Sequence, residues 1–131
     1  MSERGLLDTS VVIDLPKIDV EALPDELAIS SVTLAELAAG PHASADPVER
    51  AVRQQRLQWA ESTFDPIPFD AEAARYYGSI FALVLASGRK PRRRLADLLI
   101  ASVAAANDLP LLTRNADDFA GLEPFVAVVP V

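Results

Sequence analysis

Four short apolar stretches recur along the chain and alternate with segments that have helical patterns. They cover residues 5–8, 28–30, 111–113 and 126–129. Strands that alternate with helices are typical of α/β proteins, in which helices bury a parallel sheet. The alternation therefore predicts an α/β fold with a central parallel sheet flanked by helices on both faces.

The predicted helices are marked by residues that start or stop a helix. A short helix over residues 33–39 ends at Gly40-Pro41, and Asp46 is the predicted N-cap of a longer helix. Asp70 is the predicted N-cap of the next helix, and the last helix has an apolar face over residues 95–106. These signals agree with the alternation of strands and helices.

The segment 5–14 opens this pattern. Asp8 ends the first predicted strand, and Thr9 or Ser10 is predicted to cap a short helix that Pro16 limits. In open α/β sheets, ligands bind beyond the carboxyl ends of the strands, where the strand order reverses. Asp8 therefore stands where a metal ligand is expected.

The composition indicates one folded domain over residues 1–131, because half of the residues are hydrophobic and the length allows a real core. No apolar run approaches the ~20 residues that span a bilayer, and no signal-peptide pattern is visible. The chain has no cysteine, which excludes disulfides and thiolate metal sites. We expect a cytoplasmic protein without membrane association.

The net charge of −7 argues against a protein that holds nucleic acid by charge alone. It argues less against a metal-dependent nuclease, whose acids are offset by bound cations. Five of the twelve basic residues lie within residues 89–94. This segment is either a solvated loop or an edge that contacts RNA phosphates, through Arg92, Arg93 and Arg94.

Several acids stand where acids are not expected. Asp8 ends a strand, Glu36 lies in a helix of Leu and Ala, and Asp97 lies near the start of an apolar helix. A further group follows a predicted strand directly, and it consists of Asn115, Asp117 and Asp118. Carboxylates are hard ligands that suit Mg²⁺ or Mn²⁺. Crowded acids repel one another without a cation, so their convergence predicts metal binding.

Each acid also has an ordinary structural explanation. Asp8 is a candidate helix cap, and Glu36 follows Thr33 at the spacing of a capping box. Asp97 is at a position where the helix dipole favours an acid, and the acids at 117–118 suit a plain surface. The order of these residues and their placement beside strand ends favour the functional interpretation.

Four motifs in this order resemble those of PIN-domain ribonucleases of the VapC toxin type, from VapBC toxin–antitoxin systems. They are Leu7-Asp8-Thr9-Ser10, the helix Ser31–Leu37 with the second acid, the helix Arg94–Ala101 with the third, and Leu112–Phe119 with the pattern T-x-N-x-x-D-F. The resemblance extends from about residue 5 to residue 130 and implies a single PIN domain.

The resemblance implies that Asp8 and Asp97 are the most direct metal ligands, and that Glu36 completes the acidic cluster. Asp118, which precedes a phenylalanine, is the expected fourth acid, and Asn115 is the other candidate. An asparagine keeps an oxygen ligand but lacks a charge, so one metal or two remain open.

The implied reaction is metal-assisted hydrolysis of RNA, with Mg²⁺ as the cofactor and Mn²⁺ as a substitute. Glu36 or Asp118 is expected to take a proton from the attacking water. Ser10 or Thr9 is expected to hydrogen-bond Asp8 or a metal-bound water, and Asp117 is expected to face solvent.

The resemblance also implies protein partners: a homodimer and a complex with a VapB-type antitoxin. The apolar faces around residues 48–60 and 73–85 are candidate surfaces for those contacts, or parts of the core. The RNA itself is left open among transfer, ribosomal and messenger RNA.

Two alternatives remain at this stage. A phosphatase of the haloacid dehalogenase type also begins with a strand-end Asp, but it needs a second acid at the position of Ser10. A non-catalytic receiver module needs a lysine after a late strand, where Arg114 and Asn115 stand instead. The motifs favour a Mg²⁺-dependent endoribonuclease toxin.

Overall fold

The computed structural model describes residues 3–131, and its strands form one parallel sheet. The four strands are β1 (Arg4–Leu7), β2 (Glu26–Ala28), β3 (Leu111–Thr113) and β4 (Val128–Pro130). Their order across the sheet is β2-β1-β3-β4, and every pair is parallel. The predicted parallel sheet is therefore confirmed.

Five α-helices within residues 3–131 surround the sheet. They are α1 (Thr9–Asp14), α2 (Ser31–Ala39), α3 (Pro47–Thr63), α4 (Ala71–Ala86) and α5 (Leu95–Ala106). Short 3₁₀ helices cover residues 15–17, 20–22, 40–43, 91–94 and 116–119. Within residues 3–131, no helix has both the length and the apolarity needed to cross a membrane.

The predicted caps of the two long helices are confirmed. The Asp46 carboxylate accepts a hydrogen bond from the backbone N–H of Glu49 at 3.2 Å, and Asp70 accepts one from Ala73 at 3.0 Å. Just after α4, Gly88 has a φ of +83°, a left-handed conformation that glycine adopts without strain. These local signals therefore set the starts of α3 and α4 and the end of α4.

Two strands lie about two residues away from their predicted positions. The prediction at 28–30 corresponds to β2 at 26–28, because Ile29 and Ser30 are buried after the chain has left the β1 ladder. The polar Glu26 still pairs with Arg4 of β1 at the start of the ladder. The last strand is likewise later than predicted. A buried apolar stretch thus indicates where a strand lies, but it does not determine which residues form the hydrogen-bonded ladder.

The core forms two layers, one on each face of the sheet. Leu6 packs into the layer beneath α4 and α5, whereas the next residue, Leu7, packs into the layer beneath α1, α2 and α3. Leu111 and Leu112 of β3 divide in the same way. Successive strand residues point to opposite faces, so a sheet covered on both faces requires continuous apolar strands.

The strand order fixes the position of the site. β1 and β3 are neighbours at the centre of the sheet, although most of the chain separates them, and the connections run outward in opposite directions from this pair. The carboxyl ends of these two strands lead to Asp8 and to Thr113. This is the switch point at which α/β sheets bind ligands.

Candidate active site

Asp8 is only 4% exposed, and its carboxylate is held by donors from α1 and from β3. One carboxylate oxygen, Oδ1, accepts hydrogen bonds from the backbone N–H of Val11 at 3.1 Å and from Ser10 Oγ at 2.5 Å. The other oxygen, Oδ2, accepts one from Thr113 Oγ1 at 2.5 Å. A buried carboxylate is costly without such partners. Asp8 therefore caps α1 in place of the predicted Thr9 or Ser10, and it also faces the site.

The turn after β3 orients the two hydroxyl groups that bind Asp8. Thr113 Oγ1 accepts a hydrogen bond from the backbone N–H of Asn115 at 2.9 Å, and Ser10 Oγ accepts one from Arg114 at 3.2 Å. Each hydroxyl proton is thereby directed to the carboxylate. The sequence patterns assigned no role to Thr113; a hydroxyl group at the buried end of a strand was the available signal.

Glu36 lies on the exposed side of α2 and is bound by a residue of α1. Thr9 Oγ1 donates to Glu36 Oε1 at 2.5 Å and lies 3.1 Å from Thr33 Oγ1. The cap of α2 is Ser30, whose Oγ accepts a hydrogen bond from the Thr33 backbone N–H. Thr33 therefore lies inside the helix, and the capping-box explanation of Glu36 is wrong.

Asp97 lies in the first turn of α5, partly buried among like charges. Its pKa is raised from 3.8 to about 6, chiefly by burial and then by the negative charges of Asp118, Asp8 and Glu36 in that order, against a lowering by Arg94. Three acids from other segments of the chain thus act electrostatically on Asp97.

Asp118 is the fourth acid that the structure brings to this group. It lies in the 3₁₀ helix at 116–119 and forms an ion pair with Arg94, at 2.5 Å between Oδ1 and Nη1. The Asn115 side chain is exposed and forms no hydrogen bond within residues 3–131, and Asp117 is exposed as well. Of the candidates after β3, Asp118 is therefore the one placed among the acids.

The acids suit a hard dication in their chemistry. All of their donor atoms are oxygens, and the raised pKa of Asp97 reflects negative charge that a cation would offset. Within the described residues, no three acid side chains are arranged to hold one ion together. Mg²⁺ commonly takes only one or two protein carboxylates and completes its shell with water and substrate oxygens. The donor set therefore fits a water-rich site.

The basic segment lies beside these acids. Arg93 and Arg94 line a cleft of about 400 Å³ that Asp118 also borders, whereas Arg92 is exposed outside it. Arg94 contacts the acid cluster directly through its ion pair. The structure thus separates the three arginines that the sequence placed together.

Known proteins share both the sequence pattern and the fold. The PIN domain matches residues 5–123. The chain is 41% identical over 129 residues to ribonuclease VapC5 of Mycobacterium tuberculosis, covering 95% of this chain and 91% of that protein. It is 32% identical to a ribonuclease VapC of Rickettsia bellii, covering 87% of each. The crystal structure of VapBC-5, a toxin–antitoxin system of M. tuberculosis, superposes with a TM-score of 0.85 at 38% identity, covering 99% of this chain and 98% of that one.

Proposed function

The chain belongs to the PIN-domain family, and on that premise we propose that it is a metal-dependent endoribonuclease and the toxin component of a toxin–antitoxin system. The observation that carries this proposal is the electrostatic convergence of four acids at the switch point of the sheet, with the pKa of Asp97 raised to about 6. The relatives named as VapC ribonucleases support the same reaction.

In this proposal, Asp8 and Asp97 bind a divalent cation, Mg²⁺ or Mn²⁺. When bound, the cation supplies Lewis-acid activation of water and offsets charge on the phosphate. Asp8 is prepared for this role because Thr113 and Ser10 fix its carboxylate before any ligand arrives. A preformed carboxylate needs little reorganisation when it binds.

Glu36 is the proposed acceptor of the proton from the attacking water. Thr9 fixes one of its oxygens, and the other forms no hydrogen bond within residues 3–131. Asp118 is the second candidate, but Arg94 engages its carboxylate. A proton acceptor must reach the water at hydrogen-bond distance. This requirement favours Glu36 over Asp118, because one carboxylate oxygen of Glu36 is free.

We propose a VapB-type antitoxin and a second copy of the chain as partners, in the cytoplasm where RNA is found. The VapBC complex among the similar structures supports the antitoxin. An apolar groove of about 480 Å³ between α1 and α3 is the proposed contact, with Ile13, Val52 and Trp59 each more than 40% exposed along it. The predicted surface at 73–85 contributes less, because its apolar stripe is buried in the core.

The test is cleavage of RNA by the purified chain with Mg²⁺ or Mn²⁺. We expect cleavage that EDTA abolishes and that Asp8→Asn reduces by at least about 100-fold, since the carboxylate charge is lost while its shape is kept. A small phosphate ester should remain intact. Metal-dependent hydrolysis of the ester without RNA cleavage would reject the proposal in favour of a phosphatase.

A further inference from the structure

Three segments of the chain form the 400 Å³ cleft beside the acids. It lies between the end of α4, the basic segment and residues 118–122. Arg94 and Asp118 border both the cleft and the acid cluster. Any group that occupies the cleft therefore lies next to the acids.

Two contacts hold the walls of the cleft together. Arg89 Nη1 donates to the backbone oxygen of Asp117 at 3.0 Å, and Arg94 pairs with Asp118. Both contacts join the basic segment to the 3₁₀ helix on the opposite wall. The cleft is therefore formed before a ligand binds, which lowers the entropic cost of binding.

The cleft combines cations on one wall with an apolar floor. Lys90 and Arg93 line it with exposed side chains that form no ion pair or hydrogen bond within residues 3–131. The aliphatic part of the lining, here called the floor, consists of Val84, Leu98, Ala120 and Leu122, of which Ala120 is the exposed one. On a protein of net charge −7, these cations form a locally positive site.

A nucleotide matches this combination better than a simple anion does. Its phosphate pairs with Lys or Arg, and its base presents a flat apolar face. An inorganic anion has no use for the aliphatic floor. Ligand pockets commonly measure ~300–1,000 Å³, so a cleft of about 400 Å³ suits one nucleotide.

We propose that this cleft is a mononucleotide subsite for the RNA strand, adjoining the bond that is cut. Ala120, the exposed member of the floor, supports the base, and Lys90 and Arg93 contact the phosphate. The assignment rests on the proposed ribonuclease function. A base must leave its helix to enter such a cleft, so the nucleotide next to the cut bond is unpaired.

The experiment is a titration of the ¹⁵N-labelled full chain in EDTA, followed by NMR through the amides of Gly88, Ala120 and Leu122. The probes are the nucleotides uridine 5′-monophosphate and adenosine 5′-monophosphate, the nucleoside uridine, and inorganic phosphate. We expect the nucleotides to shift the signals of these amides at concentrations at least ~10-fold lower than uridine or phosphate alone. Uridine lacks the phosphate contacts, and inorganic phosphate lacks the contacts of the base.

Arg93→Glu and Arg92→Glu form a matched pair, since the two residues are neighbours, both exposed, and only Arg93 lines the cleft. We expect Arg93→Glu to weaken nucleotide binding ~10-fold and Arg92→Glu to change it less than ~2-fold. Equal weakening by both variants, or equally strong binding of inorganic phosphate, would overturn the subsite.

Failure of the subsite is distinguishable from failure of the ribonuclease assignment. If the chain cleaves RNA with Mg²⁺ but nucleotides do not shift the amide signals of the cleft, the subsite alone is rejected. Nucleotide binding in the cleft of a chain that cleaves no RNA would reject the ribonuclease function.

Discussion

Replacing Asp97 with asparagine is expected to make the protein more stable and inactive at once. The pKa of Asp97 is raised from 3.8 to about 6, chiefly by burial and then by neighbouring acids. A shift of about two units makes the ionised side chain unfavourable in the folded state by up to ~3 kcal/mol at pH 7. Solvent reaches part of this side chain and screens it, so we expect asparagine to raise the free energy of unfolding by ~1–2 kcal/mol.

The sign of the pH dependence follows from the direction of the shift. The protonated form of Asp97 favours the folded state, so this contribution is fully present below pH 3.8 and is lost as the pH rises through about 6. The difference in the free energy of unfolding between Asp97→Asn and the wild type should therefore appear as the pH rises from 3.8 to about 6. Urea unfolding in EDTA at pH 4, 5, 6 and 7 measures it.

Added Mg²⁺ provides a second measurement on the same pair. At ten times its dissociation constant, a ligand of the folded state stabilises by ~1.4 kcal/mol, and the wild type should gain this while Asp97→Asn does not. Asp117→Asn, an exposed acid, is the control and should change stability by less than ~0.5 kcal/mol. A variant no more stable than the wild type at pH 7, or a difference that persists at pH 4, would refute the reasoning.

Three further changes test other parts of the site. Thr113→Val removes the donor to Asp8 at nearly constant volume, so RNA cleavage should fall ~10–100-fold, with Thr113→Ser restoring most of it; equal loss in both would contradict a role in positioning. Arg94→Gln removes the charge that lowers the pKa of Asp97, so the acid limb of the cleavage profile should move to higher pH, and an unmoved limb would argue against Asp97 as a ligand. Val52→Asp should abolish antitoxin binding in calorimetry while cleavage persists; unchanged binding would exclude the α1–α3 groove.

The proposed catalytic acids could be predicted from the sequence because each breaks a local rule. Asp8 ends an apolar strand, and Glu36 and Asp97 interrupt apolar helices, so the anomaly is visible without neighbours. The alternation of elements also predicted a parallel sheet, in which the carboxyl ends of the strands share one edge. These features are set by nearest neighbours along the chain.

Other features depended on contacts between distant segments and could not be predicted in the same way. Thr113 binds a carboxylate 105 positions away, and the cleft exists only where the basic segment meets residues 118–122. Arg92 and Arg93 are alike in sequence and differ only in which of them faces the cleft. The chain just after β2 likewise pairs with a distant segment, because Ile29 and Ser31 form backbone hydrogen bonds with Ile67.

The hydrogen bond between Thr113 and Asp8 has a consequence for the timing of activity during synthesis. The ribosome makes the carboxylate of Asp8 well before its partner hydroxyl, because 105 positions separate the two residues. A nascent chain in which β3 has not yet been made lacks the central pair of strands, β1 and β3. Contacts between remote segments also form slowly in folding. The carboxylate of Asp8 therefore reaches its final position only after residue 113 has been made and β3 has joined the sheet.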